Sequence, residues 1–262
     1  MTTAIYGVGS MGGAILDALA GDSAGDLLAV VRSPEHAARL RDEYADRVEV
    51  VDAAVAAERA DVHLVVVKPY AVADLLETIA PSLRPGSIVL SLALGVSLAD
   101  LAAGLPEGTA VVRGMPNTPA KVGQGMTVLS PGETVTDEQL AQVRALLAPT
   151  GETLVLPESQ QDAATALSGS APAYVYLYVE ALVDAGVARG LTRANALTLA
   201  TQAVRGAGAM LAETGEEPAV LRTHVTSPGG ATAAALARLE AHGVRHAVAD
   251  AVDACADRSA GR

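Results

Sequence analysis

Short apolar runs alternate with helical patterns over the first 155 residues. Apolar residues recur at helical spacing between most of these runs, as in Met11–Ala20, Glu35–Tyr44 and Ala71–Ala80. This alternation predicts βαβ units and a mainly parallel sheet. The predicted strands are Thr3–Tyr6, Leu27–Val31, Val48–Val51, Val62–Val67, Ser87–Leu90, Ala110–Arg113 and Met126–Leu129.

After residue 157 the strand pattern stops, and Ala171–Gly190, Thr192–Thr214 and Ala231–Ala256 each predict a long helix. Their apolar stripes are too extensive for one isolated helix cluster to bury, which indicates a dimer or a higher oligomer. We therefore predict an α/β domain over residues 1–157 and an all-α domain over residues 158–262, joined near Pro157–Ser159.

Composition narrows the possible partners. The chain carries 30 acidic and 18 basic residues, a net charge of −12, which argues against nucleic acid. The chain has few lysines, many alanines and more acidic than basic residues. This composition fits a high-salt cytoplasm and a GC-rich genome equally well.

The single cysteine, Cys255, allows no intrachain disulfide, and the five histidines have no ligand spacing, so we predict no metal site. No secretory pattern opens the chain, and no apolar stretch reaches the roughly 18 residues that span a bilayer. We expect a cytoplasmic protein that acts on a small molecule, away from membranes.

A glycine-rich turn follows the first predicted strand and opens the first predicted helix. In this position Gly7 permits the tight turn, Gly9 lets a pyrophosphate approach the backbone, and Gly12 lets the helix pack against the strand. The helix start at Ser10 and Met11 supplies N–H groups for phosphates. The context predicts a dinucleotide-binding (Rossmann-like) doubly wound sheet.

Dinucleotide preference depends on the end of the second strand. NAD enzymes usually place an acid there, whereas this chain has Arg32 and Ser33 and no acid before Glu35. Arg32 and Ser33 are suited to a 2′-phosphate, which favours NADP. The alternative is that Arg32 is a solvated strand end.

Further cofactor candidates follow the next strands at their carboxyl ends, where ligands lie in an open α/β sheet. Lys68 and Pro69 follow the fourth strand, and Ala93 lies in a loop of small residues after the fifth. We expect Lys68 to reach the ribose or nicotinamide, although it could also be an ordinary solvated lysine.

With these residues identified, the chain resembles the pyrroline-5-carboxylate reductase family from about Ile5 to Cys255. Four further segments match the family's motifs in order. They are Arg113–Ala120 (R-G-M-P-N-T-P-A), Asp162–Tyr174 (D-A-A-T-A-L-S-G-S-A-P-A-Y), Gly186–Leu191 (G-V-A-R-G-L) and Val225–Thr232 (V-T-S-P-G-G-A-T).

The resemblance implies reduction of 1-pyrroline-5-carboxylate to proline with hydride from a dinucleotide. It also implies a Rossmann domain followed by a helical dimerisation domain, with dimers often assembled into a larger ring such as a decamer.

The segment before Ala231–Ala256 fits substrate binding. Gly229, Gly230 and Ala231 lie at a helix start, where free N–H groups bind a carboxylate. Thr232 could then hydrogen-bond the ring nitrogen, and we take Thr232 and Ser227 as the catalytic candidates. The alternative is a helix cap that binds no ligand.

Two other motif residues have competing interpretations. Ser170 is predicted as the N-cap of the following helix, which does not prevent it from lining the substrate pocket. Asn117 lies in a proline-bounded loop where it could close over the nicotinamide, and turn formation explains it equally well.

The chain departs from the family pattern at Ala171, where a glycine is usual, and at Asp52, near which many members place an asparagine against the 2′-phosphate. An acid there would repel that phosphate, so NAD stays possible beside NADP.

Two rival classes remain. A β-hydroxyacid dehydrogenase would carry a lysine on the central helix, and residues 168–190 contain none. A nucleotide-binding regulatory protein would not need the intact segment from Ser227 to Thr232.

Overall fold

The computed structural model describes residues 1–21 and 25–261. They form two compact units, Met1–Ser170 with Cys255–Arg262, and Ala171–Ala254. The predicted class, a Rossmann-like α/β domain followed by an all-α domain, is confirmed. The predicted domain boundary between residues 157 and 158 stays a prediction, and residues 158–170 group with the first unit.

The first unit contains one sheet, with eight strands among the described residues, in the order β3-β2-β1-β4-β5-β6-β7-β8. Strands β1 to β6 are parallel, β7 is antiparallel to β6, and β8 is parallel to β7. The expected mainly parallel sheet is therefore confirmed. The strands are β1 (Thr2–Tyr6), β2 (Asp26–Val30), β3 (Val48–Val50), β4 (Val62–Val65), β5 (Ile88–Ser91), β6 (Ala110–Met115), β7 (Gly125–Pro131) and β8 (Gly151–Val155).

Helices cover both faces of this sheet because consecutive strand residues point to opposite sides. Ile5 of β1 packs into one apolar cluster with Leu16 and Leu64. Its neighbour Tyr6 packs into the other with Leu76. The helices of the α/β part are α1 (Ser10–Gly21), α2 (Pro34–Tyr44), α3 (Ala53–Arg59), α4 (Val72–Ile79), α5 (Leu98–Ala103), α6 (Asp137–Leu147) and α7 (Gln161–Ala164).

Helices alone follow in the rest of the described chain. They are α8 (Ala171–Ala188), α9 (Arg193–Thr214), α10 (Pro218–His224), α11 (Ala231–Ala241) and α12 (Val244–Ser259). Helices α8 and α9 share a small core of Val183, Ala196 and Ala200. Large apolar side chains on the same two helices stay exposed, among them Leu177 (67 %) and Leu199 (60 %).

Three elements differ from the sequence prediction. Strand β8 was missed because it is a partly exposed edge strand with one fully apolar pair at its end. The short helix α10 was also missed. Ala231–Ala256 was predicted as one helix, but it ends at Ala241 and resumes at Val244, because Gly243 adopts a left-handed conformation (φ +71°).

Among the helices of the described residues, none combines the length and the apolar character that a membrane crossing requires.

A histidine is buried in the core on a central strand of the sheet. His63 of β4 is fully buried, and its Nδ1 lies 3.0 Å from the hydroxyl of Tyr6 on β1. Within the described residues, its Nε2 has no hydrogen-bond partner. Burial, aided by the charge of Arg84, lowers the pKa of His63 to about 4. The imidazole is therefore neutral in the folded protein near pH 7.

This burial predicts acid sensitivity of the fold. The unfolded imidazole titrates near its ordinary pKa of 6.5, whereas the folded one takes up a proton only near pH 4. The stabilisation is complete above pH 6.5 and is lost as pH falls toward 4, by roughly 3 kcal/mol. We expect His63→Gln to remove this component, measured as the free energy of urea unfolding at stepped pH.

The matched control is His242→Gln, which replaces an exposed histidine and should keep the wild-type pH dependence. Equal pH dependence in wild type and His63→Gln would contradict the assignment.

Candidate active site

The turn after β1 requires glycine at two positions. Gly7 has φ +98°, and a Cβ there would lie 3.1 Å from the backbone of Val66. A Cβ on Gly12 would lie 2.0 Å from the carbonyl oxygen of Gly7, so no other residue fits while α1 packs against its own turn. The expected roles of both residues in turn formation and packing are confirmed by this geometry.

Gly9 differs from its two neighbours in the motif. A Cβ on Gly9 would meet no atom within 4 Å, so no packing contact in the chain accounts for the glycine. Its carbonyl accepts the N–H of Gly13 at 2.7 Å and closes the first turn of α1. The start of α1, with an exposed Ser10 and a half-buried Met11, offers N–H groups that a helix leaves without intrahelical partners. This open cradle fits a pyrophosphate.

A cavity of about 630 Å³ opens at the carboxyl ends of β1, β2 and β4. Five predicted cofactor residues line it together: Gly7, Gly9, Arg32, Ser33 and Lys68. The volume suits a nucleotide, which binds in clefts of roughly 300–1,000 Å³. The residues present therefore fit a dinucleotide.

The cavity rim is mainly cationic at the β2 end. Arg32 and Lys68 are exposed, and neither forms an ion pair with a carboxylate of the described residues. The Ser33 hydroxyl caps α2 by accepting the His36 N–H at 3.3 Å, and it donates to Glu35 at 2.5 Å. Asp52 does not line the cavity.

The lining residues that sequence reasoning missed include three polar ones, His36, Asp74 and Thr78. The capping pattern could have indicated His36 in the sequence, since a residue three positions after an N-cap donates its N–H to the cap side chain and so lies beside Ser33. Asp74 and Thr78 are four residues apart on α4 and so share a face, but nothing in the sequence shows which face of α4 meets the cavity.

Pro69, Ala93 and Asn117 do not line this cavity. Ala93 is buried in the loop after β5. Asn117 is buried and uses both ends of its amide within the chain: Nδ2 donates to the Ser168 carbonyl at 3.0 Å, and Oδ1 accepts the Met126 N–H at 2.9 Å. A cofactor contact by Asn117 stays a prediction beside this structural role.

Ser170 does not cap α8. It follows a π-helical turn, Thr165–Gly169, and has helical backbone angles (φ −95°, ψ −23°) with its N–H donated to Thr165 at 2.9 Å. A cap would be extended and would precede the helical bonds, so the N-cap prediction was wrong. Its hydroxyl instead accepts the thiol of Cys255 at 3.2 Å. Contact with substrate stays a prediction for Ser170.

The substrate candidates of the second unit form a turn and a helix start. Gly229 has φ +69°, and Gly230, the N-cap of α11, donates its N–H to the Ser227 carbonyl at 3.0 Å. A Cβ on Gly230 would lie 2.4 Å from the Ser227 hydroxyl, which explains the second glycine. No side chain caps α11, and Ser227 and Thr232 are exposed. The first-turn N–H groups are therefore available to an anion.

Comparison with known proteins covers both parts of the chain. Residues 158–261 match the family model for pyrroline-5-carboxylate reductase dimerisation, and residues 2–95 match the model for NADP oxidoreductase, coenzyme F420-dependent. A pyrroline-5-carboxylate reductase from Corynebacterium melassecola is 43% identical over 98% of this chain and 97% of its own length. The chain belongs to the pyrroline-5-carboxylate reductase family.

Solved structures of this family share the fold. The pyrroline-5-carboxylate reductase of Coxiella burnetii superposes with a TM-score of 0.93 at 32% identity, over 99% of this chain and 97% of that one. The Plasmodium falciparum pyrroline carboxylate reductase with NADP bound gives 0.86 at 28% identity, over the same shares. Membership of this family excludes the rival interpretation as a β-hydroxyacid dehydrogenase.

The glycine contacts predict a clear difference between two alanine variants. Gly12→Ala should destabilise the fold, because its Cβ meets the Gly7 carbonyl, and it should also weaken dinucleotide binding. Gly9→Ala should leave the thermal midpoint near the wild-type value, because its Cβ meets no atom of the chain, and it should weaken NADPH binding, because the Cβ would enter the space that we expect the pyrophosphate to occupy. Thermal melts and NADPH fluorescence titrations measure both effects.

Unchanged NADPH affinity in a folded Gly9→Ala variant would contradict the expectation that the pyrophosphate binds at this turn.

Proposed function

We propose that this protein reduces 1-pyrroline-5-carboxylate to L-proline with NADPH, the last step of proline biosynthesis. Membership of the reductase family supports the reaction class. The observation that carries the proposal for this chain is the uncapped start of α11, preceded by Ser227 and two glycines.

The substrate carboxylate is assigned to this helix start. The left-handed Gly229 turns the chain so that Gly230 begins the helix without a side chain in the way. The N–H groups of Gly229, Ala231 and Thr232 and the positive end of the helix dipole would hold the carboxylate. Gly230, whose own N–H donates to the Ser227 carbonyl, would contribute by its lack of a side chain. This binding fixes one end of a small ring, so the second contact sets its orientation.

Thr232 is assigned to the ring nitrogen. Within the described residues its hydroxyl has no hydrogen-bond partner, unlike that of Thr223 or Thr226, each of which donates to a backbone carbonyl four residues back. A free hydroxyl on the second residue of the helix, close to the open N–H groups, is suited to bonding the nitrogen and orienting the ring. The imine carbon receives the hydride and the nitrogen carries a proton, with Ser227 as the second polar group beside it.

The first unit is assigned to the cofactor. NADPH supplies the hydride, and the α1 start, Arg32, Ser33 and Lys68 would hold it. The Arg32 guanidinium lies at the cavity rim and pairs with no carboxylate of the described residues, which favours a 2′-phosphate, so we place NADPH ahead of NADH. Ser10, Met11, Pro69, Ala93 and Asn117 remain proposed cofactor contacts, and Ser170 a proposed substrate contact.

Self-association is assigned to the second unit. The matched dimerisation model and the exposed Leu177 and Leu199 support a homodimer through α8 and α9. Assembly of dimers into a larger ring such as a decamer is proposed from the family resemblance alone. A cytoplasmic location stays a prediction from the sequence.

The function is tested by oxidation of NADPH or NADH in parallel with 1-pyrroline-5-carboxylate, at low and high salt, with proline identified as the product. We expect turnover with both cofactors and a lower KM for NADPH. Thr232→Val, which matches the size of threonine, should lower kcat at least about tenfold with little change in NADPH affinity, because it removes only the hydrogen bond.

Thr232→Ser is the matched control, since it keeps the hydroxyl and should retain more activity than Thr232→Val. Wild-type turnover by Thr232→Val would remove Thr232 from the mechanism, and no NADPH or NADH oxidation by the wild type would refute the function.

Cofactor preference has its own variant. Arg32→Ala should raise the KM for NADPH about tenfold or more, through loss of a charged contact to phosphate, and leave the KM for NADH within about twofold. Steady-state kinetics with each cofactor measure the ratio. An equal effect on both would place the 2′-phosphate elsewhere.

A further inference from the structure

One carboxylate oxygen, that of Glu158, joins two elements that lie far from it in sequence. Glu158 Oε1 accepts the backbone N–H of Leu98 at 2.8 Å and the Arg113 guanidinium Nη1 at 2.9 Å. Leu98 is the first residue of α5, so its N–H has no partner inside that helix. Arg113 lies on β6, and its side chain is only 13 % exposed. The oxygen therefore ties the start of α5 to the sheet.

The Leu98 contact controls one end of the loop Leu92–Ser97, which follows β5. The other end is held by the sheet, where the Leu92 N–H donates to Val65 at 2.9 Å. Between them the loop turns at Gly95 (φ +77°) and presents an exposed Leu94. The loop is thus anchored at both ends with an apolar tip between them.

The position of this loop gives the anchoring a functional meaning. It leaves the carboxyl end of β5, the neighbour of β4, after which Lys68 lies. In a doubly wound sheet the dinucleotide lies across the carboxyl ends of the strands, and the half beyond β1 and β4 faces the nicotinamide. A loop of small and apolar residues there can pack against the nicotinamide ring.

We propose that Glu158 is a positioning residue that, through Leu98 and Arg113, holds the Leu92–Ser97 loop against the nicotinamide ring of NADPH. This inference rests on the proposed function. Glu158 itself touches neither cofactor nor substrate; it acts through the loop.

Glu158→Ala separates this role from a general contribution to stability. Loss of the anchor should lower kcat about tenfold, since small misplacements of reacting groups are costly. It should raise the dissociation constant of NADPH about threefold, since binding must then order the loop. The KM for 1-pyrroline-5-carboxylate should stay within about twofold. NADPH fluorescence titration without substrate gives a readout independent of turnover.

Glu158→Gln keeps an oxygen acceptor for Leu98 and should recover most of both losses. Glu49→Ala is the matched control, because it breaks another ion pair of the same unit, Glu49–Arg59 at 2.6 Å, away from the loop. It should behave as wild type.

The proposal is overturned if folded Glu158→Ala binds and turns over NADPH within twofold of wild type, or if Glu158→Gln recovers nothing. It is also overturned if Glu49→Ala gives the same losses. Should Glu158→Ala fail to fold, Arg113→Met decides, with a smaller fall in kcat expected and an unchanged kcat contradicting. An inactive wild type that still binds NADPH would refute the proposed reaction, while the titrations would still report on the loop.

Discussion

The start of helix α1 leaves room for nothing larger than a hydrogen atom above the carbonyl of Gly7. Everything at the nucleotide edge depends on that approach, because it sets how deeply α1 sits over β1. With Gly12 in place, the first N–H groups of the helix stand at the carboxyl edge of the sheet rather than above its face. The strand order places the two cations: β1 lies between β2 and β4, so Arg32, after β2, and Lys68, after β4, reach the same cavity from either side.

Long-range hydrogen bonds hold the loops at that edge. Parallel strands are joined by long crossover connections and not by tight turns, so the loops at their ends depend on hydrogen bonds to distant residues. Asn117 bonds Ser168, 51 residues away, and Glu158 bonds Leu98, 60 residues away. Ser168 and Glu158 both belong to residues 158–170, the segment that links the α/β part to the helices. The dimerisation family model includes this segment, because its match begins at residue 158. In the structure, however, the segment packs with the first unit.

The helical unit buries far less apolar surface within itself than the α/β unit does. Its internal core is small and built from Val183, Ala196 and Ala200, while large apolar side chains remain on its surface. Such a unit gains stability by covering those side chains with another copy. Helix α11 of this unit starts without a side-chain cap, so its first-turn N–H groups are open, and we propose that they bind the substrate.

The sequence by itself determined the features whose cause is local: the glycine turn, the strand and helix alternation, the break into a helical part, and the motifs that reveal the family. Backbone angles and side-chain periodicity are properties of neighbouring residues, so they can be predicted from the sequence. Tertiary structure alone decided that Ser170 continues a helix through a π turn, that β8 extends the sheet, and that His63 is buried beside Tyr6. It also decided which atoms Asn117 and Glu158 hold. These outcomes depend on partners dozens of residues away, brought together by packing that periodicity does not encode.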